Sequence, residues 1–270
     1  MMDVREANQV QKLSHGQLHI PDAAATDDGP SLLFVHGSWH GAWCFDNFLK
    51  FFAAAGIQAA ALDLRGHGGL EQDELFVASG QSEMADDICE AVSALRRPAI
   101  VVGHSAGAAI AAQAASRMTL PGLVLLAPSP PAQIPGLAKL PEVPNGKPCP
   151  PPDFETARRR FYPNFSEAEA RGFYEMLTPE SPALLNDRRA LRVKCDRTRI
   201  SGPCLVIAAG REDPTMHAEG QDLATARFFD AEYYFSADAG HCFMLEAEWQ
   251  REAEIILRWY RKHFPSLERP

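Results

Sequence analysis

A serine becomes a nucleophile near pH 7 only when a base takes its proton, and that base keeps the useful tautomer only when an acid faces its other nitrogen. The sequence carries these three residue types in an order suited to one site. Gly103-His104-Ser105-Ala106-Gly107 lies between the apolar run Ala99 to Val102 and an Ala-rich stretch from Ala108 to Ala115. A strand, a sharp turn and a helix in succession would project the Ser105 hydroxyl, and only small neighbours fit such a turn. The helix start would also aim free N–H groups at developing negative charge. His241, in Ala239-Gly240-His241-Cys242, follows the strand-like stretch Glu232 to Phe235. Asp213, in Gly210-Arg211-Glu212-Asp213, stands at the exit of Leu205 to Ala209. Both positions fall at the strand ends where sites in parallel sheets assemble. The expected triad is therefore Ser105, Asp213 and His241, with Glu212 and Asp238 as rival acids.

Acyl transfer also needs donors for the oxyanion. His36-Gly37-Ser38-Trp39 follows the run Leu32 to Val35, so the backbone N–H of Ser38 and that of Ala106 form the expected pair. Losing one such donor typically costs about a hundredfold or more in rate. Trp39, Trp43, Phe161, Tyr162 and His217 are candidate pocket residues, with plain core packing an equal reading for the aromatics. His36 and His104 are read as turn-stabilising. No metal and no cofactor are expected. His36 and His40 are four apart, but Gly37 and Gly41 oppose a helix there, and no G-x-G-x-x-G follows a strand.

The elements that must position these residues are legible as short continuous apolar runs. Leu32 to Val35, Ala59 to Leu62, Ala99 to Val102, Leu123 to Leu126 and Leu205 to Ala208 lack alternation, as strands buried on both faces do. Helical patterns lie between them. One runs from Ser82, a candidate N-cap, through Met84, Ile88, Ala91, Val92 and Leu95 to a stop at Pro98. Alternating strand and helix predicts an α/β fold with a mostly parallel central sheet flanked by helices. Gln17 to Ile20, after Ser14-His15-Gly16, reads as a hairpin feeding an antiparallel edge. The rhythm breaks at 128–152, where ten prolines in 25 residues forbid regular structure. Helical patterns resume at Phe154–Tyr162 and Glu167–Leu177. Residues 1–128 and 201–270 are thus expected to form the core, and 129–200 a cap (lid) inserted over one end of the sheet.

Composition sets the outer limits. The 270 residues suit one large domain, 46% are hydrophobic and 23% charged, and the formal charge is -9. That balance argues against a nucleic-acid partner, which needs a basic face; Arg158-Arg159-Arg160 is too short a run to change this. The polar stretch Met1 to Ile20 lacks the apolar segment of a signal peptide, and no run reaches the roughly 18 residues of a membrane span. Six scattered cysteines read as reduced thiols. A cytoplasmic location without a membrane partner is expected; the oligomeric state is open.

These motifs together resemble the α/β-hydrolase superfamily from about Leu32 to the C-terminal helix. The landmarks, in order, are His36-Gly37, the Asp63 to Gly68 turn, Gly103 to Gly107, Asp213, and Gly240-His241 with Glu246 after it. The stretch His36-Gly37-Ser38-Trp39-His40-Gly41-Ala42-Trp43 is most similar to the plant methylesterase and hydroxynitrile-lyase branch. That likeness implies a serine hydrolase cleaving a small, apolar carboxylic ester through an acyl-enzyme, under a helical cap. The lyases place a lysine beside the catalytic histidine, whereas Cys242 follows His241 here, which argues against lyase activity. A C–C bond hydrolase, lactonase, thioesterase or amidase on the same triad stays open, as does a non-catalytic ligand receptor on this fold.

Overall fold

The computed structural model describes residues 8–22, 25–215 and 217–265. Residues 1–7, part of the polar N-terminal stretch, lie outside the described residues. The chain opens with an antiparallel hairpin, β1 (Asn8–Lys12) and β2 (Gln17–Pro21). The continuous apolar runs become β3 (Ser31–Val35), β4 (Ala59–Asp63), β5 (Ala99–His104), β6 (Leu123–Leu126) and β7 (Cys204–Ala209). Every residue of these five strands is buried. With β8 (Glu232–Ser236) they form one sheet in the order β1-β2-β4-β3-β5-β6-β7-β8. From β4 to β8 all pairings are parallel, and the hairpin joins antiparallel through β2 and β4.

Double burial follows from helices on both faces. In β3, Leu32 and Phe34 point to one side and Leu33 and Val35 to the other, as the strand period dictates. The first side packs on Phe48 and Phe52 of α1 (Asp46–Ala54) and on Ile256, Trp259 and Tyr260 of α9 (Gln250–His263). The second packs on α3 (Gln81–Ala94), α4 (Ala106–Ala115) and Phe229 of α8 (Gln221–Phe229). Each of these buried Phe side chains contributes about 1.5–3 kcal/mol by area. A short helix, α2 (Glu74–Ala78), precedes α3.

One boundary differs from expectation. The helix predicted from Ser82 starts at Gln81 with Gly80 as N-cap. The Glu83 carboxylate accepts the Gly80 N–H at 2.9 Å, and Asp187 accepts that of Gln81 at 2.9 Å, so two carboxylates replace the serine cap.

The connection from β6 to β7 carries α5 (Phe154–Phe161), α6 (Glu167–Tyr174) and α7 (Pro182–Arg189). Its proline-rich part has no helix or strand, only a bridge between Cys149 and Glu180. The sequence patterns anticipated α5 and α6 but not α7. Its signal was Ser181-Pro182: the Ser181 hydroxyl accepts the Ala183 N–H at 3.2 Å, and proline occupies the first turn, where no N–H is needed. The connection reaches back to the strand ends, with Thr178 N–H on the Trp39 carbonyl at 2.9 Å and Cys242 N–H on that of Phe161 at 3.3 Å. Among the described residues, no helix is long and apolar enough to cross a membrane.

Candidate active site

Ser105 follows β5 and caps α4 with φ 52° and ψ -118°, a left-handed conformation that a residue with a side chain adopts only under constraint. The surrounding packing imposes it. The Ser105 N–H donates to the Leu126 carbonyl at 2.9 Å, and its carbonyl accepts from Ser129 at 3.0 Å and Ala108 at 3.1 Å. The flanking glycines are required by contact. A Cβ on Gly103 would lie 2.4 Å from the Gly107 carbonyl oxygen, and one on Gly107 would lie 2.4 Å from that of His36. Neither the Ser38 nor the Ala106 N–H donates to an acceptor among the described residues, and Ala106 is the first residue of α4.

The loop holding Ser38 is fastened from several sides. His36 spans it, with Nδ1 at 2.9 Å from the Gly37 carbonyl and Nε2 accepting the Leu64 N–H at 3.2 Å. Burial, with His67 nearby, pulls its pKa down to about 4, so the ring is neutral. Glu180 accepts the Trp39 N–H at 3.2 Å and faces His67 at 3.5 Å. Asp63 accepts from Ala42 N–H at 2.6 Å, His19 at 2.7 Å and Gln17 at 3.0 Å. The Asp63 to Gly68 turn thus has a structural part in holding this loop.

His241 is 2% exposed and lies beside the Ser105 turn. His104 is the residue before Ser105; its Nε2 donates to the His241 carbonyl at 2.9 Å, with the rings 4.8 Å apart. The turn role expected of His104 therefore extends to a tie between two loops. Glu246 accepts the Gly240 N–H at 2.8 Å and holds the loop from its other side.

The expected acid requires correction. His241 Nδ1 meets Glu212, at 2.9 Å from Oε1 and 3.0 Å from Oε2. Asp213 turns the other way. Its Oδ2 accepts from Arg159 Nε at 2.9 Å, with Arg160 Nε at 3.8 Å, and its Oδ1 accepts from Thr215 N–H at 2.9 Å and Oγ1 at 2.8 Å. Successive side chains after a strand end diverge, so only one of two adjacent carboxylates can face the histidine. The electrostatics separate them too. Burial pushes Glu212 up to about 7, against the pull of His217. Burial alone would also raise Asp213, but its hydrogen bonds from Thr215 and Arg159 outweigh it and hold the carboxyl below its ordinary value. Burial and the neighbouring His217 keep His241 well below the usual histidine range.

The five expected pocket residues are differently placed. His217 is buried behind the pair, 4.0 Å from Glu212 and 3.5 Å from Asp222. Burial would lower its pKa, but Asp222 and Glu212 raise it on balance. Tyr162 is wholly buried, with its hydroxyl 3.0 Å from His40 Nε2, and Trp43 stacks on Phe173 at 6.1 Å. The bulk of both rings is satisfied within the core. Phe161 does stand at the site, its ring 5.9 Å from those of His241 and Trp39. Trp39 lines a cavity of about 270 Å³, together with Ser129, Arg160, Leu185 and Arg188. Arg188, which no sequence motif marked, donates from Nη1 to Ser38 Oγ at 3.2 Å.

Glu212, His217 and His241 bring three ligand-type atoms within 4.8 Å of one another. Glu212 faces both histidines, at 2.9 Å from His241 Nδ1 and 4.0 Å from His217 Nε2.

Comparison with known proteins places the chain in a family. The chain is 35% identical over 102 residues to protein phosphatase methylesterase 1 of Bos taurus, covering 36% of this chain and 27% of that protein. It is 36% identical over 83 residues to the probable esterase PIR7A of Oryza sativa subsp. indica, covering 30% and 31%. The matches thus span about a third or less of these relatives' length. Among solved structures, the methylesterase MES16 from Arabidopsis superposes with a TM-score of 0.67 at 20% identity, covering 86% of this chain and 99% of that one. The N-acyl homoserine lactonase AidH superposes with a TM-score of 0.70 at 19% identity, covering 97% and 99%. Residues 32–254 match the Alpha/beta hydrolase family, and this chain belongs to it.

Proposed function

We propose that the protein is a serine esterase in which Ser105, His241 and Glu212 form the triad and 129–200 is a cap that selects the substrate. The contact of both Glu212 oxygens with His241 Nδ1 carries this reading. An ionised Glu212 there keeps the proton on Nδ1, which leaves the Nε2 lone pair to act as base. Ser105 Oγ attacks the ester carbonyl as its proton passes to Nε2. The carbonyl oxygen takes up negative charge opposite the Ser38 and Ala106 N–H groups. The C–O bond to the alcohol then breaks, and the Nε2 proton goes to the leaving oxygen. Water repeats the sequence, giving its proton to Nε2 and its oxygen to the acyl carbon, and Ser105 recovers its proton as the acid departs. Glu212 stabilises the imidazolium in both halves without itself becoming protonated.

The esterase reading, over lactonase, thioesterase, amidase or C–C bond hydrolase, draws on the esterase and methylesterase names of the relatives. The unpaired donors and strained serine disfavour a receptor without turnover, since binding alone requires neither. Turnover of short p-nitrophenyl esters by wild type and Ser105→Ala, with fluorophosphonate labelling, tests the assignment. Wild type should turn over and label at Ser105, and the variant should do neither. An inert, unlabelled wild type, or label that persists in the variant, would overturn it.

A further inference from the structure

The cavity lined by Trp39, Arg188 and Ser129, whose N–H donates to the Ser105 carbonyl at 3.0 Å, has a charge character opposite to that of the whole chain. The protein carries -9, yet three arginines (160, 188 and 189) line this cavity against one carboxylate, Asp187. That carboxylate is already engaged, accepting the Gln81 N–H at 2.9 Å. The arginines are unequally satisfied. Arg189 donates to the Pro141 carbonyl at the cavity's edge. Arg160 Nε is buried without a hydrogen-bond partner, its nearest carboxylate oxygen being Asp213 Oδ2 at 3.8 Å. Arg188 gives one hydrogen bond, to Ser38 Oγ at 3.2 Å, and no ion pair among the described residues. Its guanidinium has five N–H donors in a planar fork.

Glu180 is the anion that attracts Arg188, but it is occupied with His67 and with the Trp39 and Ser181 N–H groups. Burial brings Arg188 down to about 10, which leaves it charged at neutral pH. Holding such a cation in a cavity is costly unless an anion completes it. A planar anion would do so bidentately.

We propose that the natural substrate is an ester bearing a second, anionic carboxylate group, held by Arg188 with Arg160 beside it. The Arg188 fork bonds Ser38 Oγ, so it stands one side chain's length from the Ser38 N–H assigned to the oxyanion. The anion therefore lies a few bonds from the scissile carbonyl, and apolar walls such as Leu185 and Leu191 take the intervening carbons. This departs from the expectation of an apolar ester and rests on the esterase reading above.

The test compares mono-p-nitrophenyl glutarate with p-nitrophenyl valerate, which has a similar chain but no charge. Wild type should favour the glutarate in kcat/KM, and Arg188→Met should lower the glutarate-to-valerate ratio at least tenfold. Arg188→Lys should restore part of it, which also guards against misfolding of the methionine variant. A ratio unchanged in Arg188→Met, with Ser105 still labelling with fluorophosphonate, overturns the proposal. A second arm is independent of turnover. Free glutarate should bind Ser105→Ala by calorimetry, and the added Arg188→Met should abolish it. Absence of glutarate binding there refutes the anion subsite, whereas binding without any Ser105 labelling refutes the esterase reading alone.

Discussion

Exchanging the acid at two adjacent positions separates the roles of Glu212 and Asp213. In Glu212→Gln the amide retains shape but can present either its oxygen or its NH2 to His241 Nδ1, so the base loses its fixed tautomer. Loss of an acid in this role lowers kcat by about 10⁴. Stability should move the other way. The Glu212 pKa rises from 4.5 to about 7 on folding, so the folded state holds its proton to higher pH. The favourable contribution is complete below pH 4.5 and is lost as pH rises towards 7, where ionisation inside the protein costs stability. About 2.5 units at 1.36 kcal/mol each make that cost about 3 kcal/mol at pH 8 as a ceiling. Glu212→Gln should then melt a few degrees above wild type at pH 8, and at nearly the same temperature at pH 4.5. Asp213→Asn loses an ion pair to Arg159, whose side chain is 58% exposed, worth under about 1 kcal/mol. It should keep its activity within a few-fold. Steady-state kinetics of both variants and melts at the two pH values decide the matter. Full activity in Glu212→Gln with a collapse in Asp213→Asn would refute the assignment.

Two further outcomes follow from neighbouring residues. His217 lowers the pKa of both Glu212 and His241, so His217→Asn should move the acid limb of the kcat/KM profile to higher pH; a superimposable profile between pH 5 and 9 would refute this. Ser105→Gly removes the side chain from a residue at φ 52°. Strain of this kind costs about 1–3 kcal/mol, so the inactive variant should melt above wild type, with Ser105→Ala as the control that keeps the Cβ.

The sequence revealed what depends on local rules. Continuous apolar runs declared strands buried on two faces, and Gly103 to Gly107 declared the turn because backbone contact forbids larger residues there. His241 followed from its place after a strand. What stayed hidden depends on side-chain direction and tertiary approach. Glu212 and Asp213 share one strand exit, and no spacing rule says which of two neighbours turns inward. His217 carries no local signal for pairing with Asp222, and Tyr162 and Trp43 looked like pocket residues because aromatic chemistry alone does not distinguish lining from packing. Arg188 lies on a helix that the proline-rich approach obscured, although Ser181-Pro182 marked its start.

The bond from His104 to the His241 carbonyl joins positions 137 apart in sequence. During synthesis the Ser105 turn can form early, but His241 arrives only after β7 and β8 have been made and added to the sheet. Joining such distant segments carries a loop-closure cost that local structure cannot offset. Catalytic competence is consequently a late reporter in refolding, recovered after most helical signal has returned, and it certifies the order of the sheet from β5 to β8 rather than the formation of any one element.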